Sequence, residues 1–144
     1  MLPKTDWAQL IPHAGTMCLL DAVCAWDELT IHAVSAGHLR ADNPLRGAHG
    51  LHAVHLAEYG AQAMALHGAL LARARGVEEV RQGRLVSLRD VQLCVEYVEP
   101  SDGHLDVHAE CLYADAGGAH YAFRVEHRGR LLASGRAAVI HPES

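Results

Sequence analysis

Two short stretches carry the side chains best suited to moving protons. In Ile11-Pro12-His13-Ala14-Gly15 an imidazole follows a proline and precedes two residues with almost no side chain. Further along, His55, Glu58 and Gln62 recur at i, i+3 and i+7, a spacing that puts all three on one face of a helix. Histidine takes up a proton near neutral pH without any special environment. A carboxyl kept protonated by apolar surroundings can donate one. Plainer roles compete with these: His13 as a loop histidine facing water, and Glu58 as the partner of an arginine or the cap of a turn.

The segment bearing the second set, Leu51 to Arg75, reads as a helix. It is rich in Ala, Leu, Met, Glu and Gln, holds no proline, and ends in Arg73, Arg75 and then Gly76. Between Val54 and Leu71 nearly every side chain is apolar or glycine, so His55, Glu58 and Gln62 form a polar stripe on an otherwise buried rod. A carboxylate on such a rod must be hydrogen-bonded, raised in pKa, or both. Gly60 and Gly68 weaken the helix and would let another backbone approach closely.

The elements around this helix read as strands. Leu19–Trp26 and Thr30–Ala36 precede it. Leu85–Val98, Leu105–Tyr113, Ala119–His127 and Leu131–Ile140 follow, separated by Pro100-Ser101-Asp102-Gly103, Asp115-Ala116-Gly117-Gly118 and Arg128-Gly129-Arg130. Apolar residues alternate with polar ones along several of them, as in Val91, Leu93, Val95 and Tyr97. Short turns between alternating runs predict an antiparallel meander, hence an α+β fold in which a curled sheet wraps one long helix. A second subunit would help to cover a helix that is apolar nearly all round.

Length and composition narrow the function. A chain of 144 residues without repeat or linker is expected to form one domain, 1–144. A net charge of −5, with no basic block, argues against nucleic acid as a partner. The N-terminus lacks the apolar core of a signal peptide, and polar residues interrupt the longest apolar run, so neither export nor membrane insertion is expected. Cys18, Cys24, Cys94 and Cys111 follow no framework spacing and suit reduced thiols in the cytoplasm. Twelve histidines are an excess that raises metal binding. His49, His52 and His55 stand at i, i+3, i+6, but helical steps of about 100° carry the first away from the last. No cysteine or carboxylate completes a tetrahedral set, so no metal is expected.

The two chemical stretches together resemble the hot-dog-fold 3-hydroxyacyl-acyl-carrier-protein dehydratases, in particular a branch of predicted dehydratases found in aryl-polyene-type clusters. The resemblance rests on Leu10-Ile11-Pro12-His13, with Gly15, Met17, Leu19-Leu20-Asp21 and Val23, and on Glu58-Tyr59-Gly60-Ala61-Gln62-Ala63-Met64-Ala65. It implies a hot-dog fold with His13 as catalytic base, Glu58 as its acidic partner and Gln62 one turn on. It implies further that Gly15, Val54 and Gln62 lie along the substrate, with a backbone N–H near Val54 polarising the thioester carbonyl. No cofactor is implied. The implied partners are an acyl carrier protein, with the substrate on its phosphopantetheine arm, and a second copy of the chain. The homodimer, or an oligomer of dimers, would set His13 of one copy opposite Glu58 of the other. Arg73, Arg75, Arg81, Arg84 and Arg89 form a basic region that would suit an acidic carrier, or would simply be a solvated face. The chain departs from the family at the helix entry, where His52 replaces the usual proline. Two other functions stay open: a hot-dog acyl thioesterase using Glu58 alone, and a non-catalytic partner of an active dehydratase.

Overall fold

Residues 1–11, 15–76 and 84–140 are described by a computed structural model, the side chains of 16 and 84–86 excepted. Seven strands and one long helix follow in the order β1 (Leu2–Pro3), β2 (Ala22–Trp26), β3 (Thr30–Ser35), α1 (Leu56–Ala74), β4 (Arg84–Leu93), β5 (Leu105–Asp115), β6 (Gly118–His127) and β7 (Arg130–Ile140). All the strands join one antiparallel sheet in the order β1-β2-β3-β5-β6-β7-β4. The sheet curls around α1, which is the hot-dog architecture expected from the sequence.

Alternation decides which face of each strand meets the helix. Ile31 and Ala33 of β3, Leu105, Val107 and Ala109 of β5, and Tyr121, Phe123 and Val125 of β6 point inward and are buried. Their neighbours His32, Asp106, His108, Arg124 and Glu126 point outward. Against the inner face α1 packs Leu56, Tyr59, Ala63, Met64, Leu66 and Leu70. Each large aliphatic side chain removed from water there contributes about 1.5–3 kcal/mol. Gly60 has a structural use: a Cβ there would stand 2.7 Å from the ring of Phe123, so only glycine lets that ring lie against the helix. The close approach at Gly60 is thus made by a side chain of the sheet rather than by the expected backbone, and nothing among the described residues comes within 4 Å of a Cβ at Gly68.

Turn chemistry explains the tight return between β6 and β7. Arg128 and Gly129 have φ of 51° and 80°, and His127 pairs with Arg130, giving a two-residue hairpin of the kind that needs positive φ at both central positions. At the β5–β6 turn the Asp115 carboxylate accepts from the backbone N–H of Gly117 and Gly118 at 2.8 and 3.1 Å. Gly76, at φ 76°, follows the last turn of α1 and suits a left-handed C-terminal stop.

The structure corrects three details of the expected layout. The meander has three strands, β5-β6-β7; β4 pairs with β7 at the far edge, and β5 pairs with β3 instead. The segment from 94 to 104 is long enough to carry the chain across, so the Pro100–Gly103 turn does not close a hairpin. β4 also ends at Leu93, and Leu88, Val91 and Leu93 are exposed although Val91 and Leu93 alternate with polar residues, because α1 packs chiefly against β3, β5, β6 and β7. Finally, α1 begins at Leu56, preceded by a 3-10 turn at Ala53–His55, five residues later than the propensity of the segment suggests.

Candidate active site

The polar stripe on α1 is only partly buried. Gln62 is fully buried, His55 half-buried and Glu58 exposed. The burial expected for Glu58 is therefore absent from the single chain: it lies on the part of the helix that the sheet does not cover. His13 lies outside the described residues, as does Pro12 before it.

Gln62 connects the helix to the stretch that follows His13. Its side-chain oxygen accepts from the backbone N–H of Leu19 at 2.9 Å, and its nitrogen donates to the carbonyl of Met17 at 2.6 Å. Both ends of one amide thus hold the backbone of residues 17–19. The side chain of Asp21 extends the clamp: it accepts from Ala36 N–H at 2.6 Å, from the Arg40 guanidinium, and lies 3.8 Å from Lys4 Nζ. Ser35 Oγ donates to Leu19 O at 2.5 Å and accepts from Gly37 N–H at 3.0 Å. Behind it, Asn43 Nδ2 donates to Gly37 O and to the Tyr59 hydroxyl at 2.9 and 3.0 Å. Burial pushes the Tyr59 phenol up, which keeps it neutral. The Leu19-Leu20-Asp21 run is thus irregular, anchored chain rather than the start of β2, and Gly15 opens it at φ 60°.

The helix entry is built around His52. Its backbone pairs with Tyr97 in an isolated antiparallel bridge, so that Ala53 N–H donates to Glu96 O and Val98 N–H to Leu51 O, both at 2.8 Å. Its imidazole Nδ1 accepts from Val54 N–H at 3.0 Å, which makes His52 a cap of the kind usually provided by Ser, Thr, Asp or Asn. The amide expected to polarise the substrate carbonyl is therefore already engaged. The rings of His52 and Tyr97 meet in a T-shaped arrangement with centroids 5.1 Å apart, and His49 approaches the same tyrosine at 6.4 Å. Among the described residues no set of three His, Cys, Asp or Glu side chains is arranged to hold a metal.

Two polar features were not foreseen as pairs. On the buried side of α1, five residues beyond Gln62, His67 Nε2 donates to Asp27 O at 2.8 Å, so Nδ1 carries a lone pair that accepts from the Tyr121 hydroxyl at 2.7 Å. Burial holds His67 below the usual histidine range and pushes the Tyr121 phenol up. On the outer face of the sheet His32 and His108 stack at 4.3 Å, with His32 bonded to Asp106 at 2.7 Å and His108 3.5 Å from Glu126. They border a groove of about 640 Å³ that crosses the strands. Nothing in a single strand's sequence announces either pair, because the partners come from different elements. The basic region is dispersed: Arg73 donates to Asp6 O, Arg89 is exposed on β4, and Arg81 and the Arg84 side chain lie outside the described residues. Cys18, Cys24, Cys94 and Cys111 are all free thiols, with Cys18 buried.

One long helix in the grip of a seven-stranded antiparallel sheet defines a hot-dog protein. The chain belongs to the ApeP-like dehydratase family, whose model matches residues 5–144. Among solved structures it is similar to a chain of the dehydratase heterocomplex ApeI:P from Xenorhabdus doucetiae, with a TM-score of 0.85 and 22% identity over 100% of this chain and 93% of that one. AziG of S. sahachiroi matches with a TM-score of 0.57 and 21% identity, covering 85% of this chain and 90% of that one. A hypothetical thioesterase with coenzyme A from Streptococcus pneumoniae matches at a TM-score of 0.62 and 11% identity, over 85% of each chain. No curated protein sequence matches. No described helix is long and apolar enough to cross a membrane.

Proposed function

We propose that the protein dehydrates 3-hydroxyacyl thioesters carried on acyl carrier protein, giving trans-2-enoyl thioesters, with His13 as base and Glu58 as acid. The observation that carries this reading is the Gln62 clamp: the residue one turn beyond Glu58 fastens the backbone four to six residues beyond His13. One helix thereby bears the acid and holds the backbone of residues 17–19, a few positions along the chain from the base. In the reaction neutral His13 takes the α-proton, and the electrons form the α,β double bond as the β-hydroxyl departs. Glu58 gives that hydroxyl a proton, so water leaves. Negative charge gathers on the thioester oxygen on the way and needs a preorganised N–H, which in this proposal comes from the entry to α1. Gly15 leaves room for the acyl chain. The Gln62 amide bounds that space while it holds the wall.

A carboxyl must be shielded from water to keep its proton, and Glu58 is exposed in the single chain. A second subunit along the edge of β4, unpaired among the described residues, would cover the exposed Leu88, Val91 and Leu93, and in this proposal it supplies the His13 that works with Glu58. That subunit is a second copy in this proposal. The similar solved assembly is a heterocomplex, as its name says, so its two kinds of chain differ. This favours one other reading, a subunit that completes an active partner without turning over substrate itself, and the occupied Val54 amide supports it too.

The test is the loss of enone absorbance as water adds to a 2-enoyl thioester, in wild type, His13→Asn and Glu58→Gln, each shown to be folded. Turnover in wild type that collapses in both variants upholds the proposal. Release of free thiol would instead identify a thioesterase. Carrier-protein binding without turnover would identify the non-catalytic subunit, and a chain that does neither is not part of this chemistry.

A further inference from the structure

The first amides of the helix are not equally available. Ala53 N–H is tied to Glu96 O, His55 N–H to His52 O at 3.1 Å, and Leu56 N–H to Ala53 O. All three acceptors are backbone carbonyls held in place by the bridge at Tyr97 or by the helix itself. Val54 N–H alone is bonded to a side chain, the His52 imidazole at 3.0 Å. A side chain can leave by rotation about χ1, whereas a backbone carbonyl can leave only if the helix start unravels. His52 is half-buried, in T-shaped contact with Tyr97, and Val54, two residues on, is 49% exposed. The ring therefore has open space to swing into, and the amide it uncovers faces a place that an incoming molecule can reach.

We propose that His52 gates the carbonyl-binding amide of Val54: its imidazole occupies the N–H in the resting protein, and a substrate carbonyl must displace it before reaction. The inference rests on the dehydratase reading above. It makes His52 a positioning residue, acting through Val54. Neutral imidazole with its lone pair on Nδ1 is a good acceptor, so the resting amide is satisfied and the substrate replaces one hydrogen bond with another. An early thioester oxygen gains little from this exchange. The oxygen of the enolate-like transition state, which carries more negative charge, gains more because hydrogen bonds to charged acceptors are about twice as strong. The gate thus lowers ground-state affinity and leaves most of the transition-state stabilisation in place, so its removal is felt more in KM than in kcat.

Two variants separate the gate from a merely structural cap. His52→Ala removes the acceptor and leaves the Val54 amide uncovered. His52→Asn keeps an oxygen that can accept the N–H two residues on, in an Asx turn. Steady-state rates on an enoyl thioester are expected to show KM falling about fivefold in His52→Ala, the equivalent of one net hydrogen bond no longer broken, with kcat within about twofold. His52→Asn is expected to match wild type. In ¹⁵N-labelled protein, the scalar coupling across the N–H···N bond between Val54 N and His52 Nδ1 should be present without ligand and vanish when a non-reactive acyl-pantetheine analogue binds. Wild-type turnover with the coupling retained in the bound state, or with KM unchanged in His52→Ala, overturns the gate and leaves the dehydratase reading standing. Turnover that appears only in His52→Ala supports the gate and shows it closed in wild type. No turnover and no analogue binding in any of the three proteins overturns both.

Discussion

Replacing Gln62 with leucine tests the argument that one helical amide holds the stretch beyond His13. Leucine has nearly the volume of glutamine, so the change opens no large cavity and removes only the polar atoms. Two hydrogen bonds are lost, at 2.9 and 2.6 Å. Their consequences differ. Leu19 is 2% exposed, so its N–H is left inside without a partner at a cost of about 1–3 kcal/mol. Met17 is 39% exposed, so its carbonyl can turn to water and loses about 1 kcal/mol. The sum is a destabilisation of about 2–4 kcal/mol, read as a fall in the urea midpoint at fixed protein concentration with an unchanged slope. Gln62→Glu sharpens the test. The carboxylate keeps an acceptor for Leu19 N–H but sets negative charge against the Met17 carbonyl, which favours the protonated acid. Its folded-state pKa is therefore raised, and this variant should regain stability as the pH falls toward its unfolded-state pKa of about 4.3, because the protonated carboxyl again donates to Met17 O. A loss below about 0.5 kcal/mol in Gln62→Leu, typical of an uninvolved surface site, would refute the clamp.

Other outcomes follow from particular contacts. His67 is buried neutral with its pKa lowered, so the unfolded chain binds the proton first: the stability it contributes is complete above about pH 6.5 and declines as the pH falls toward the lowered folded value. Urea midpoints from pH 7.5 to 5.0 should drop in wild type and drop less in His67→Gln, whose amide can still donate to Asp27 O and accept from Tyr121; equal slopes would contradict the assignment. Gly60→Ala should destabilise by about 1–3 kcal/mol through overpacking against Phe123, against a gain of about 1 kcal/mol in helix propensity, and Phe123→Leu in the same chain should recover part of the loss by thermal melting. Leu88→Lys and Val91→Lys on β4 should shift the sedimentation of the assembly toward single chains without changing the circular dichroism of the fold; unchanged sedimentation would place the interface elsewhere.

Much of this protein was legible along the chain. The periodicity of Val54 to Leu71, its freedom from proline and the Gly76 stop are local properties, and they specified the helix because a run with that pattern has no other way to bury its apolar surface. The turns at Asp115 and at Arg128-Gly129 were equally local, since turn geometry depends on φ values that few residues accept. The Glu58 and Gln62 spacing was readable for the same reason. Tertiary structure alone decided that β4 crosses to pair with β7, because strand alternation marks a face and carries no information about neighbours. It also set the exposure of Glu58, which depends on where the curled sheet stops covering the helix. The Gln62 clamp and the His67–Tyr121 pair each join groups far apart in the chain, whose meeting depends on three-dimensional geometry. Hydropathy and propensity are sums over neighbouring residues, whereas a hydrogen bond across the fold depends on distance and direction between elements, and those exist only once the chain has packed.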